Sequence, residues 1–327
     1  MNMELNAPTS RRSALKIGGL TVSMAALAAA CGEDRGQDPS LGRIGNAPVV
    51  STPPSYDTDD IVLLRTASSL EFTAIEVYEA VLQLDGAIPD EVVPVVERLV
   101  GDHRIIADRM VALTEANGGE AWTCSNPWLM DRVIGPALEL IQANVVGIVQ
   151  EDTTMVQVIG EVVPIANVVT TVNGELTLIS DTSGVAAGDE IEFERLEGAK
   201  SEDTMAFANA LENLAAASHQ ELASATSIDD ARVAHLDAAI TESRHSAVLA
   251  IAILGAEGYI SPALFGEDVP PTARGQIRHF AVESIFGQTG QTEIKAGPGD
   301  LNSVRKSVVL QTPAANSLIY NELSCDV

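Results

Sequence analysis

At 327 residues the chain is long enough for one large domain or two modest ones, with an ample apolar core. Hydrophobic residues make up 46% of it and aromatic residues 4%, a balance typical of a helical protein rich in Ala, Val and Leu. The formal charge of −27 at pH 7 repels phosphate backbones, so nucleic-acid binding is not expected.

The first thirty residues are predicted to be an export signal and not part of the fold. Ser10–Lys16, with the letters SRRSALK, resembles a twin-arginine export motif that lacks the usual Phe. The segment Ile17–Ala30 that follows is too short and too weakly apolar to be a comfortable membrane span. We therefore expect an exported protein.

The signal ends in Leu27–Gly32, with the letters LAAACG, which resembles a lipoprotein processing site. Cleavage before Cys31 would leave that cysteine as the lipid-bearing N-terminus, and ordinary cleavage after Ala30 without a lipid is the alternative. The first reading predicts a protein of the cell envelope or periplasm whose membrane contact is a lipid anchor on Cys31. Residues 31–56, rich in Gly, Pro and Ser, are predicted to be a flexible spacer.

Two helices are predicted between residues 57 and 118. The first begins near Asp57–Asp60 and places Glu71 within an apolar stripe at steps of three and four residues: Leu64, Ser68, Ile75, Tyr78 and Leu82. A buried carboxylate in such a stripe needs a partner. The second helix runs from about Asp90 to Ala116 and carries His103 on its inner face. By itself, His103 fits a hydrogen-bonded core residue as well as a metal ligand.

Residues 120–200 form a long connection before the next helical segment. Asn126–Gln150 contains two prolines and is predicted to be irregular or a short helix. The period then changes to two, which predicts a small β insertion at about 145–197 with strands at Met155–Ile159, Val168–Val172, Glu175–Ile179 and Glu190–Glu194, and a tight turn at Asn173–Gly174. Its expected role is a structural cover, with a docking surface as the alternative.

Two further helices are predicted at about Glu202–Ala225 and Asp229–Leu254. Glu212 lies on the inner face of the first, and Glu242 and His245 lie one turn apart on the second, so both of their side chains leave the same face. His219 lies seven residues after Glu212, and His235 lies seven residues before Glu242. This spacing predicts that His219 and His235 are level with each other and two turns from Glu212 and Glu242, with Tyr78 beside them. They would form a second polar layer or an entry route, or simply the wet end of the helices.

The C-terminal residues 257–327 contain short strand-like runs and are predicted to wrap around the helices. These runs are Ile277–Ile285, Ser307–Gln311 and Ser317–Leu323. With Cys31 assigned to the lipid, Cys124 and Cys325 are the remaining cysteines. Outside the cytoplasm they are predicted to form a disulfide, and two unrelated thiols are the alternative.

The two helical segments repeat one pattern. His103 follows Glu71 by 32 residues and His245 follows Glu212 by 33, so each half is a helix with a central Glu, a turn, and a returning helix with a central His. Over residues 60–118 and 203–256 the chain resembles the ferritin-like superfamily, and it is most similar to secreted bacterial ferritin-like proteins related to plant desiccation-associated proteins. The resemblance implies a mainly α fold: a ferritin-like four-helix bundle at 57–256, with a small β insertion between helices two and three and an extended C-terminal wrap.

The same resemblance implies a dinuclear iron or manganese carboxylate site that acts on oxygen or peroxide. Five of the six expected ligands are present: Glu71, His103, Glu212, Glu242 and His245. Glu71 and Glu212 would be carboxylate ligands, Glu242 would bridge, and the two histidines would be terminal. Val100 stands where the sixth ligand is expected, and Glu97 and Asp102 are off register for that place.

Val100 therefore leaves three alternatives open. The site holds two ions, or it holds one ion because it is incomplete at Val100. In the third reading the protein is a metal-free envelope lipoprotein that serves as a scaffold for binding or stress protection. Whether the protein is an enzyme is left open at this point.

Overall fold

The computed structural model describes residues 43–44, 59–165, 171–172, 175–179, 184–260 and 291–311. This part of the chain is mostly helical and carries a small antiparallel sheet. Its helices are α1 (Asp60–Val81), α2 (Val93–Ala116), α3 (Pro127–Leu129), α4 (Gly135–Gln142), α5 (Glu197–Ala225) and α6 (Asp229–Ile260), with a π-helical turn at Met130–Ile134.

The four long helices form two hairpins, α1 with α2 and α5 with α6. Helix α1 begins where the side chain of Asp59 accepts a hydrogen bond of 2.9 Å from the backbone N–H of Val62, which satisfies one of the free donors of the first turn. Helix α2 ends at Ala116 with Asn117 as its C-cap, and Gly118 follows with φ +82°, a conformation that glycine adopts without strain. Both α5 and α6 are longer than predicted: α5 begins five residues earlier and α6 ends six residues later.

The hairpins pack against each other with α1 antiparallel to α5 and α2 antiparallel to α6. Along α1, Asp60 contacts Thr226, Glu71 contacts His219 and Tyr78 contacts Glu212, so the position on α5 falls as the position on α1 rises. Along α2, Asp102 contacts His245 and Arg109 contacts Asp237, which gives the same sense. This opposition of directions decides which inner residues are level with one another.

The strands of the described residues are β1 (Arg43–Ile44), β2 (Val145–Val149), β3 (Met155–Val158), β4 (Glu161–Pro164), β5 (Thr171–Val172), β6 (Glu175–Ile179), β7 (Glu190–Arg195), β8 (Gln291–Ala296) and β9 (Lys306–Gln311). The predicted β insertion is present between α4 and α5 as an antiparallel sheet with the order β4-β3-β2-β7-β6-β5. Asn126–Gln150 was predicted to be irregular or a short helix, and residues 127–142 are helical. The prediction is wrong for Val145–Val149, which is a central strand. The predicted turn at Asn173–Gly174 lies outside the described residues.

A second, smaller sheet has the order β1-β9-β8, with β8 and β9 antiparallel and β1 parallel to β9. Strand β8 packs against α5. Of the predicted spacer at 31–56, only Arg43–Ile44 lies within the described residues, as strand β1. The predicted strands at 277–285 and 317–323 lie outside the described residues, as do the export signal and Cys31.

A buried ion-pair network, here called the Asp203 network, joins both sheets to α5. Asp203 Oδ2 accepts from Arg195 Nη1 at 3.0 Å and from the backbone N–H of Gly297 at 2.8 Å, and Oδ1 accepts from Arg305. Arg195 also donates to the carbonyl of Ile141 at 3.2 Å. Asp203 and Arg195 are 2% and 3% exposed, so this carboxylate is desolvated but fully supplied with donors.

Cys124 is disulfide-bonded. Both other cysteines, Cys31 and Cys325, lie outside the described residues, so the pairing of Cys124 with Cys325 stays a prediction. Among the described residues, no helix combines the length and the apolar character that crossing a membrane requires.

Candidate metal centre

All five predicted ligands are buried between the two hairpins. Glu71, His103, Glu212 and Glu242 are fully buried, and His245 is 5% exposed. Each comes from the inner stripe that the helical period predicts: Glu71 from α1, His103 from α2, Glu212 from α5, and Glu242 and His245 from successive turns of α6.

Four of the five form one compact group: His103, Glu212, Glu242 and His245. One potential ligand atom from each lies within 4.8 Å of the other three, so this buried group could hold a metal ion. His103 Nε2 lies 3.1 Å from Glu212 Oε1, and His245 Nδ1 lies 3.2 Å from Glu212 Oε2 and 3.4 Å from Glu242 Oε2.

Glu71 contacts His103 on the side of the ring opposite Glu212. The Nδ1 of His103 lies 2.8 Å from Glu71 Oε2, the shortest of its three carboxylate contacts, and a carboxylate can only accept, so this nitrogen carries a proton. In a neutral ring the opposite nitrogen, Nε2, is then a bare lone pair that faces the oxygen of Glu212. Two acceptors face each other there, an arrangement that a cation between them would satisfy.

His245 lies between two carboxylates. Its Nδ1 lies 3.2 Å from Glu212 Oε2 and its Nε2 lies 3.4 Å from Asp102 Oδ2, so a metal ion on Nδ1 would require the ring proton on Nε2, where Asp102 can accept it. Asp102 is off register for the place of the missing ligand, and the structure places it behind His245. Carboxylates in this position orient metal-binding histidines and fix their tautomers.

Glu242 has a deficit of donors. Neither of its buried oxygens accepts a hydrogen bond in the described part of the chain, although His103 Nδ1 lies 3.5 Å from Oε1. Burial raises the pKa of Glu242 well above its ordinary value; His103 lowers it, but the charges of Glu212 and Glu71 raise it further, as does a hydrogen bond that a protonated Glu242 would donate to Glu212. A buried carboxylate without donors is costly unless a proton or a metal ion neutralises it.

Tyr78 contacts both Glu212 and His103. Its hydroxyl donates to Glu212 Oε1, and its ring stacks on His103 with the centroids 5.6 Å apart. Burial raises the pKa of Tyr78 well above its ordinary value, and the charge of Glu212 adds to this, so the hydroxyl keeps its proton. The prediction that Tyr78 lies beside His219 and His235 is wrong, because α1 runs antiparallel to α5 and brings Tyr78 level with Glu212.

Glu71 lies outside the group of four. Its Oε2 contacts His103, and its Oε1 lies 2.7 Å from His219 Nε2, so both oxygens are already engaged. His219 and His235 are level with each other, as predicted, with their Nδ1 atoms 3.0 Å apart. They lie two turns from Glu212 and Glu242 along α5 and α6, as predicted. Glu71 was expected to be level with Glu212, but because α1 runs antiparallel to α5 it is level with His219 instead.

The position of the missing ligand is apolar. Val100 is 5% exposed and belongs to the main hydrophobic core, while Glu97 is exposed to solvent. Glu97 therefore does not replace the sixth ligand. A direct metal contact by Glu71, which the resemblance implies, stays a prediction.

Comparisons with protein-family models, with curated proteins and with solved structures found no match to this chain.

Proposed function

We propose that the protein binds one iron or manganese ion between its two helical hairpins, through His103, Glu212, Glu242 and His245, and that this ion reacts with oxygen or peroxide. One observation carries the proposal: two histidines and two carboxylates converge in one buried group, and one of those carboxylates, Glu242, accepts no hydrogen bond in the described part of the chain. A cation in the middle would neutralise the carboxylates and bind one nitrogen of each histidine.

The choice of metal follows from the donors. Two imidazoles and two carboxylates suit iron or manganese, although donor type does not fix the metal by itself. Such an ion supplies redox chemistry toward oxygen or peroxide. The chain supplies the rest: Glu71 and Asp102 orient the two histidines, Tyr78 orients Glu212, and the surrounding helices exclude bulk water.

The proposal places one ion, not two, in the group. A second ion would need Glu71 and a sixth ligand, and the place of the sixth ligand is taken by the buried side chain of Val100. Glu71 already accepts from two histidines, so it has no oxygen left without a partner. The dinuclear site that the resemblance implies is the alternative outcome of the experiment below.

The wider proposal is an exported ferritin-like lipoprotein of the cell envelope, anchored through a lipid on Cys31. Two α-hairpins that pack with inner Glu and His residues support the ferritin-like part, because bundles of this kind build metal sites from facing helices. The motifs SRRSALK and LAAACG support the export and lipid parts.

A metal-free scaffold is the second candidate, and the contacts of His103 favour it. Glu71 at 2.8 Å and Glu212 at 3.1 Å flank its two nitrogens, as they would flank a doubly protonated ring. Burial lowers the pKa of His103, but the charges of Glu242 and Glu212 raise it by more, and the net effect is a pKa well above the ordinary value. A buried imidazolium could therefore stand in place of the metal ion.

Elemental analysis separates the two candidates. The protein, purified after export and again after incubation with Fe²⁺ or Mn²⁺, is compared with Glu242→Gln and with the control Glu76→Gln, which changes an exposed glutamate on α1. We expect about one iron or manganese per chain, lost in Glu242→Gln and kept in Glu76→Gln.

The other outcomes each support a different site. About two ions per chain would establish the dinuclear site in spite of Val100. No metal in any sample, with an unchanged melting temperature, would leave the scaffold. If metal binds, consumption of oxygen or peroxide by the iron-loaded protein, absent in Glu242→Gln, tests the reaction.

A further inference from the structure

Three buried side chains behind His103 form a hydrogen-bonded row that the four-residue group does not include. Glu71 contacts His103 through Oε2 at 2.8 Å and His219 through Oε1 at 2.7 Å, and His219 Nδ1 lies 3.0 Å from His235 Nδ1. All of them are fully buried. We call Glu71, His219 and His235 the histidine row.

The direction of every hydrogen bond in the row follows from its metal end. If His103 presents the bare Nε2 to a cation, its proton is on Nδ1 and is donated to Glu71. A histidine nitrogen lies within 2.8 Å of each oxygen of Glu71, and a carboxylate in that position can only accept. His219 must then donate from Nε2, which leaves its Nδ1 as an acceptor for His235.

The far end of the row agrees with this assignment. His235 must donate from Nδ1, so its Nε2 must be a bare lone pair, and Nε2 is the one ring nitrogen of the row without a hydrogen-bond partner in the described part of the chain. This assignment requires the ring of His235 to be neutral. Burial lowers the pKa of His235 to about 3, and the charge of the nearby His219 is the second cause. A buried acceptor without a partner is less costly than a buried N–H without one.

We propose that His219 and His235 are positioning residues for the metal centre: acting through Glu71, they fix His103 in the tautomer that presents Nε2 to the ion. This inference rests on the proposed function, since it concerns the same ion. It assigns to His219 and His235 a role in affinity without contact to the metal, and it makes Glu71 the last member of the row and not a ligand.

A matched pair of substitutions at one position tests the row. His219→Leu removes the N–H that Glu71 accepts, whereas His219→Gln can supply an amide N–H at a similar distance from the backbone. Loss of a partner of this kind commonly weakens metal binding about 10- to 100-fold. We expect His219→Leu to bind Co²⁺, a spectroscopic probe, about 10- to 100-fold more weakly than the wild type, and His219→Gln to recover most of that loss.

Nitrogen-15 spectra of the histidine rings supply a readout that a purely structural role would not change. In the wild type loaded with Zn²⁺ we expect His219 with its proton on Nε2 and His235 with its proton on Nδ1. His235→Leu removes the donor to His219 Nδ1, and His219 should then populate the other tautomer while Co²⁺ binding weakens. If His219→Leu does not fold, His235→Leu still tests the proposal.

The possible failures are distinguishable. A wild type that takes up neither Co²⁺ nor Zn²⁺ contradicts the proposed function itself. Metal binding in the wild type together with unchanged affinity in folded His219→Leu or His235→Leu overturns the positioning role alone. A His235 ring with its proton on Nε2 overturns it as well, since the row would then have no donor at that end.

Discussion

The molecule contains two buried clusters of charge with opposite donor balances. In the Asp203 network one carboxylate receives two arginines and a backbone N–H, so each of its oxygens has a donor. In the candidate metal centre two carboxylates lie against two histidines, and Glu242 accepts no hydrogen bond in the described part of the chain. Both clusters are buried, so burial alone does not distinguish a structural ion pair from a ligand site. What distinguishes them is whether hydrogen-bond donors reach the carboxylate oxygens.

The largest effect on stability is expected in the Asp203 network. Asp203→Leu would leave Arg195 buried without its carboxylate and Gly297 N–H without an acceptor, which should lower the free energy of unfolding by about 3–5 kcal/mol. Urea denaturation measures this. Glu79→Gln, which breaks the exposed pair with Arg104, is the control and should cost less than about 1 kcal/mol. Equal losses of unfolding free energy in the two variants would contradict the expectation that the buried Asp203 carboxylate contributes more than an exposed ion pair.

In the candidate metal centre, loss of a carboxylate should not lower the free energy of unfolding once metal is removed. In the presence of a chelator, Glu242→Gln replaces a carboxyl that lacks donors by a neutral amide and should be as stable as the wild type or about 1 kcal/mol more stable. With metal at about 100 times its dissociation constant, the wild type should gain about 2.7 kcal/mol and the variant nothing. Denaturation with and without chelator gives both values. A wild type that is indifferent to the chelator contradicts the metal reading.

The smallest effect belongs to Asp60, a partly exposed carboxylate that joins α1 to the turn between α5 and α6. It accepts from the backbone N–H of Ser227 and the hydroxyl of Thr226, both at 2.6 Å. Burial raises the pKa of Asp60, but these hydrogen bonds outweigh it and lower the pKa below its ordinary value. Its stabilisation is therefore present above the pKa of the unfolded chain and is lost as the pH falls through the lower pKa of the folded state.

Asp60→Ala should cost about 1 kcal/mol at pH 7, as the loss of a helix cap does, and less in acid. Unfolding measured from pH 7 to pH 2 would show the two proteins converging at low pH. A constant difference across that range would mean that the ionised carboxylate contributes nothing. Here, as in the Asp203 network, the stabilising carboxylate is the one that has donors.

Helical periodicity placed the five predicted ligands inside the protein, and the repeated Glu and His pattern singled them out. Glu71, His103, Glu212, Glu242 and His245 are all buried, because a position on a helix face depends only on the local period, but only the last four form the compact group. Periodicity does not state how two hairpins are oriented. The contacts of Tyr78 with Glu212 and of His219 with Glu71 depend on that orientation, and so both were missed.

The strands show a similar limit. The alternating run Glu190–Arg195 was predicted to within one residue, since alternate residues are buried and exposed. Val145–Val149, with the letters VVGIV, has no polar residue to mark an alternation, and it pairs on both edges with β3 and β7. A uniformly apolar run can belong to a helix or to a central strand, and only its pairing partners decide.

The separation of the ligands along the chain has a consequence for the biosynthesis of the protein. His103 and Glu212 are 109 residues apart, and Glu242 and His245 come later still, so a nascent chain that ends before α5 carries one ligand of the four. Such a chain cannot capture the ion with useful affinity, because the order that brings the ligands together comes from the packing of both hairpins. Metal uptake should therefore follow the packing of both hairpins. The ion should stabilise the folded protein and should not be needed to start its folding.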